Sequence, residues 1–109
     1  MTCQELAVVE RLQEWYRAQC DGEWEHTHGI RIDTLDNPGW ALEIDLNDTE
    51  LASKKFEEID FSTDVQWDWY RCRIKDAKFQ AFCGPSRLVD VIAIFSAWAF
   101  PTSDYGDRL

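Results

Sequence analysis

The sequence predicts an α+β domain: a five-stranded antiparallel sheet with an N-terminal and a C-terminal helix packed on one face. Apolar residues recur at helical spacing near both ends of the chain, they alternate with polar residues through the middle, and turn residues separate the alternating runs. With 109 residues and 45% hydrophobic content, including six Trp, six Phe and three Tyr, the chain has material for one core and one domain. That domain is assigned to residues 1–101, with 102–109 as a flexible C-terminal tail.

Thr2 and Glu5 have the form of a capping box, and Val8, Val9, Leu12, Trp15 and Tyr16 follow at helical spacing. A first helix over residues 3–19 is therefore expected, stopped near Gly22. Residues 29–35 alternate, with Ile30 and Ile32 on one side and Arg31 and Asp33 on the other. Asn37-Pro38-Gly39 supplies the chemistry of a type II turn. Trp40, Leu42, Ile44 and Leu46 then alternate with Ala41, Glu43 and Asp45, which completes a hairpin with an apolar inner face and a largely acidic outer one.

Residues 47–55 read as a polar loop. Ile59 and Phe61 mark a third strand, residues 67–75 (WDWYRCRIK) a fourth, and residues 78–83 a fifth, so that strands three to five form a meander. Gly84-Pro85-Ser86 opens a second helix whose apolar face is Leu88, Val91, Ile92, Phe95 and Trp98, with Pro101 beyond its end.

Charge is the strongest global signal. The 21 Asp and Glu against 11 Lys and Arg give a formal net charge of -10, which repels phosphate backbones and anionic lipid and favours a basic partner. The most apolar segment, residues 88–100, is broken by Asp90 and falls short of the roughly 20 residues that span a bilayer. Cys3, Cys20, Cys72 and Cys83 form no C-x-x-C pair, and the start MTCQELAVVERL lacks the features of a signal peptide. A soluble cytoplasmic protein with free thiols is the expectation.

Three kinds of chemistry are open on residue types alone. His26 and His28, beside Cys20, Asp21, Glu23 and Glu25, include metal-ligand types, but on a strand they make only a two-point clamp, and satisfied structural histidines are the competing reading. Cys83 precedes a helix start, where thiolates are stabilised, yet the loop to Arg87 is short and Pro85 removes a donor; a small buried thiol is the alternative. Carboxylate pairs such as Glu23 and Glu25 or Asp33 and Asp45 arise by chance in an acidic chain. No metal, cofactor or catalytic residue is assigned.

The remaining feature is the acidic surface. Asp33, Glu43 and Asp45 are expected to project together, with Asp36 and Asp48 at the hairpin ends and Glu23 and Glu25 on the connecting loop, and Trp24 as an aromatic anchor. Such an array suits a cationic protein surface; a merely solvated face is the plain alternative. For the loop 21–26 itself, partner contact and a hydrogen-bonded brace for the hairpin are both open.

The run W-Y-x-x-Q-C-D-G-x-W-E-H from Trp15 to His26, then G-I-x-I-x-T-L-D-N-P-G-W from Gly29 to Trp40 and I-D-L-x-x-T-x-L from Ile44 to Leu51, resembles immunity family fifty-three of the bacterial polymorphic toxin systems. The resemblance extends more loosely through the tryptophan-rich strand to Gly84-Pro85, covering nearly the whole chain except the tail. It implies a small cytoplasmic antitoxin that binds and neutralises the effector domain of a cognate toxin, and it brings no catalytic residues. The expectation is a non-enzymatic inhibitor that occludes a basic, nuclease-like surface, itself contacting neither nucleic acid nor membrane, with a monomer favoured. The alternative is a small enzyme using His26 and His28 with a metal, or Cys83 as a thiol.

Overall fold

The structure, a computed structural model, describes residues 3–100, with side chains from residue 7 onward. Thr2 and the Glu5 side chain, which the expected capping box needs, and the expected tail over 102–109 lie outside what is described. The elements in chain order are α1 (Cys3–Gln19), α2 (Trp24–Thr27), β1 (Ile30–Leu35), β2 (Gly39–Asp45), β3 (Ile59–Ser62), β4 (Trp69–Lys75), β5 (Lys78–Cys83) and α3 (Leu88–Ala99). The five strands form one antiparallel sheet in the order β1-β2-β5-β4-β3. The α+β architecture is the one the alternation and helical spacing predict.

Register decides which side chains meet. Leu42 pairs with Ala81 and Ile44 with Phe79 across β2 and β5, and Cys72 pairs with Ala81 and Ile74 with Phe79 across β4 and β5. Because strand side chains alternate, these residues share one face. That face is dry: Leu42, Ile44, Cys72, Phe79, Ala81 and Cys83 are buried against Trp15, Val91 and Phe95 from the helices. Each large apolar side chain buried this way contributes about 1.5–3 kcal/mol. Phe95 is the hub, its ring 5.2 Å from both Trp15 and Phe79 in edge-on and tilted contacts. Ser96, buried at the α1–α3 contact, donates its hydroxyl to the Val8 carbonyl at 3.4 Å.

Residues 46–58 carry the chain from β2 to the far edge of the sheet. The segment is pinned by buried Leu51, by Phe56 packed edge-on to Phe79 and Trp98, and by a reciprocal pair at the end of α3. Trp98 donates Nε1 to the Lys55 carbonyl at 2.7 Å while Lys54 donates Nζ to the Trp98 carbonyl at 2.5 Å.

Three local expectations are corrected. Residues 24–27 form a helical turn and not an irregular loop. Gly39 is extended (φ 159°) and begins β2, so it does not supply the left-handed φ of a type II turn; the Asn37–Pro38 peptide is cis. β4 starts at Trp69, because Thr63 and Asp68 close a hydrogen-bonded loop (Thr63 N to Asp68 O, 3.1 Å) that takes Trp67 out of the strand. Beyond the hairpin the outer face changes character. β4 and β5 lay Arg71, Arg73, Lys75 and Lys78 on the same face, where Lys78 stands opposite Asp45.

Candidate functional site

The turn around α2 is built by carboxylates folded onto backbone. Gly22 takes a left-handed φ of 96°, which glycine adopts without steric cost, and the chain doubles back. The Asp21 carboxylate accepts from the Glu23 and Trp24 amides, both at 2.9 Å, which holds its pKa below the usual carboxylate value. Glu25 reaches back to the Asp21 and Gly22 amides at 3.0 and 2.9 Å. Asp21 and Glu25 are thus braces, and Glu23 between them is exposed.

Trp24 points inward. It is 5% exposed, meets Trp15 edge-on at 6.1 Å and donates Nε1 to the Asn47 carbonyl at 2.9 Å, so its ring faces the core and not the solvent. Its burial ties the turn to the 46–50 segment, and His28 completes the tie. His28 Nδ1 lies 2.7 Å from an Asp45 oxygen and Nε2 lies 3.2 Å from Asp48. Hydrogen bonding to Asp45, with a smaller contribution from Asp48, raises the His28 pKa above its ordinary value. Burial works to raise the Asp45 carboxyl, but the Asn47 amide and His28 outweigh it and leave it low.

The eight residues expected at the partner surface therefore divide. Glu23 and Asp48 line one open hollow of about 530 Å³ beside α2, together with Asp21, Trp24 and His28. Asp33 and Glu43 lie on the open sheet face, Asp33 within 4.0 Å of Arg31 and Glu43 within 3.4 Å of Gln80. Asp36 stands at the hairpin turn, exposed, at the opposite end of the strands. Asp45, Glu25 and Trp24 are turned to internal work. Sequence reading missed Asp21 as a lining group, because its proximity to Asp48 depends on α2.

Of the residues named for the two enzymatic readings, His28 is hydrogen-bonded and Cys83 is buried, while His26 is exposed. Each His28 nitrogen is occupied by a different carboxylate, and among the described residues no group of three or more His, Cys, Asp or Glu could hold a metal ion. Burial pushes the Cys83 thiol up to about 11, so at neutral pH it is protonated and not a nucleophile. Cys72, beside it in the core, is pushed up to about 12. Among the described residues no helix is long and apolar enough to cross a membrane.

A family model described as Immunity protein 53 matches residues 9–99. The chain belongs to that family. The match runs from α1 to the end of α3, so the braced α2 turn and the whole sheet lie inside the Immunity protein 53 region. Membership makes this an immunity protein, with a protein toxin as its partner. No curated protein and no solved structure shows significant similarity to it.

Proposed function

We propose that this immunity protein neutralises the effector domain of a cognate polymorphic toxin without catalysis, in the cytoplasm, by masking a basic surface of the kind that binds a nucleic-acid substrate. The observation that supports this reading is the hollow beside α2. Asp21, Glu23 and Asp48 converge there, and among the described residues His28, already committed to Asp45 and Asp48, is the only lining group able to carry positive charge. Asp33, Asp36 and Glu43 extend the negative field along the hairpin. Free Cys20, Cys72 and Cys83 suit a reducing compartment. A carboxylate array on a fixed frame steers a cationic partner and excludes its polyanionic substrate from the same groove.

The test is association with the toxin effector domain encoded by the adjacent gene, measured by calorimetry at low and high salt. Glu23→Lys combined with Asp48→Asn is expected to weaken binding about tenfold or more at low salt, with less effect at high salt. A second variant, Asp33→Lys with Glu43→Gln, reports on the sheet face. Binding that ignores both salt and charge removal would overturn the electrostatic reading, and absence of binding by the wild type would overturn the toxin assignment.

A further inference from the structure

At the other end of the strands from the α2 hollow, the topology brings the 35–39 turn, the 63–68 loop and the 84–87 segment together. The loop exposes two apolar side chains, Val65 at 65% and Trp67 at 49%. Exposing so much of a tryptophan is unfavourable in isolation, and a loop that merely lacked a better arrangement would be loose. This one is fixed. The Gly84 amide donates to the Trp69 carbonyl at 2.9 Å, and a Cβ added to Gly84 would fall 1.7 Å from the Trp67 carbonyl oxygen, so backbone packs directly on backbone. Thr63 Oγ1 accepts from the Val65 amide at 3.1 Å and lies 3.1 Å from an Asp68 carboxylate oxygen. Asp68 in turn pairs with Arg87 Nε, and Arg87 Nη1 reaches Asp90 at 3.3 Å. The Arg87 guanidinium lies 5.2 Å from the Phe61 ring centroid, and that ring stacks on Tyr70 at 4.7 Å.

Beside Trp67 is an open, mainly apolar hollow of about 370 Å³ lined by Val65, Trp67, Asp68, Pro85, Ser86 and Arg87. Pro85 is held by the Trp40 indole, whose Nε1 donates to its carbonyl at 3.0 Å. The charge around this apolar end is negative. Asp36 and Asp64 are exposed with no ion-pair partner among the described residues, while Arg87 is taken by Asp68 and Asp90, and Arg71 lies 3.6 Å from Asp60.

We infer that Trp67, with Val65, is the anchor that seats the immunity protein in the toxin effector domain, entering an apolar pocket rimmed by basic side chains that meet Asp36 and Asp64. The inference rests on the toxin-binding reading above. An exposed aromatic on a braced backbone beside a hollow loses less conformational freedom on binding than one on a loose loop, which is the physics of an interface hot spot. The net charge of -10 and the two unpaired carboxylates select a basic domain over a second copy of this chain, whose own matching end would repel it.

The experiment compares the wild type with Trp67→Ala, Val65→Ser and a Trp67→Phe control, measuring affinity and dissociation rate for the effector domain, thermal midpoint, and protection of cells expressing the toxin. The Trp67→Ala protein is expected to keep its thermal midpoint, because the ring is half exposed, and to lose about thirtyfold or more in affinity, mainly through faster dissociation. Val65→Ser loses less, and Trp67→Phe restores part of the affinity. Wild-type binding that Trp67→Ala retains within about threefold overturns the anchor and leaves the immunity reading standing. No binding by the wild type overturns both. Sedimentation showing wild-type self-association that Trp67→Ala abolishes, with toxin binding unchanged, assigns the loop to a second copy and overturns the toxin as its occupant.

Discussion

The two ends of the sheet present side chains to solvent by opposite means. At the α2 end, polar groups hold polar groups: Asp21 and Glu25 fold onto amides, and His28 bridges Asp45 and Asp48. At the loop end, the Asp68–Arg87 pair is joined by close contact, with Gly84 under the Trp67 carbonyl and Arg87 laid over an aromatic pair. One end offers carboxylates, whose field reaches about a Debye length of some 8 Å at physiological salt; the other offers an indole, which acts only on contact. The difference separates two jobs of recognition. Charge sets how often partners meet and apolar anchoring sets how long they stay.

The largest test of the comparison is Gly84→Ala. Its methyl group would collide with backbone, which has no rotamer to escape into, and a loss of about 3 kcal/mol in urea-unfolding stability is expected, with the 63–68 loop displaced. Next comes Trp24→Phe, which strands the Asn47 carbonyl and removes part of a 5%-exposed ring; about 1–2 kcal/mol is the expected cost, read by thermal melts. Charge changes at the α2 end act differently. Glu23→Lys with Asp48→Asn should leave stability within about 0.5 kcal/mol while slowing association with the toxin domain in stopped flow, and dissociation should hardly change. Asn suits position 48, where φ is 62°. Faster dissociation instead would erase the distinction between the ends.

The smallest effects have opposite pH windows. The His28 pKa is raised above 6.5 by Asp45 first, so its contribution is fully present below 6.5 and is lost as pH rises through the higher folded value. Melts of wild type and His28→Gln should therefore converge on the alkaline side. Asp68 is lowered below 3.8, chiefly by Arg87, so its contribution is present above 3.8 and is lost as pH falls through the lower folded value. Wild type and Asp68→Asn should converge in acid. A common window for both variants would mean that the two ends are not held as described.

Legibility in the sequence followed periodicity. The strands of the hairpin and β5 were readable because Leu42 and Ile44 flank Glu43 and Phe79 and Ala81 flank Gln80 at the period of a strand, and α3 because its apolar face is broad. The start of β4 was not, since Trp67 continues the alternation of WDWYRCRIK and only the distant Gly84 and Arg87 show that the chain leaves the sheet there. α2 was missed for a similar reason: a single turn capped from Asp21 has too few residues to show a period. For the site, exposure of Glu23, Asp33, Asp36 and Asp48 was legible from alternation and turn chemistry. The inward turn of Trp24 and Asp45 depended on Asn47 and His28, partners that no local pattern names.

The crossing segment 46–58 has a consequence for how the chain comes together. On either side of it lies a half with its own main helix and its own strands: α1, β1 and β2 before it, β3, β4, β5 and α3 after it. The halves meet along one seam, β2 against β5 and α1 against α3, where contacts such as Ser96 to Val8 join residues 88 positions apart. Local hairpins can form and dissolve on either side, but neither half covers its apolar face until the seam closes, so closure is the late and cooperative step. Cutting the backbone within 46–58 would turn that step from a loop closure into an encounter of two fragments, and the rate at which immunity is acquired would then depend on their concentration.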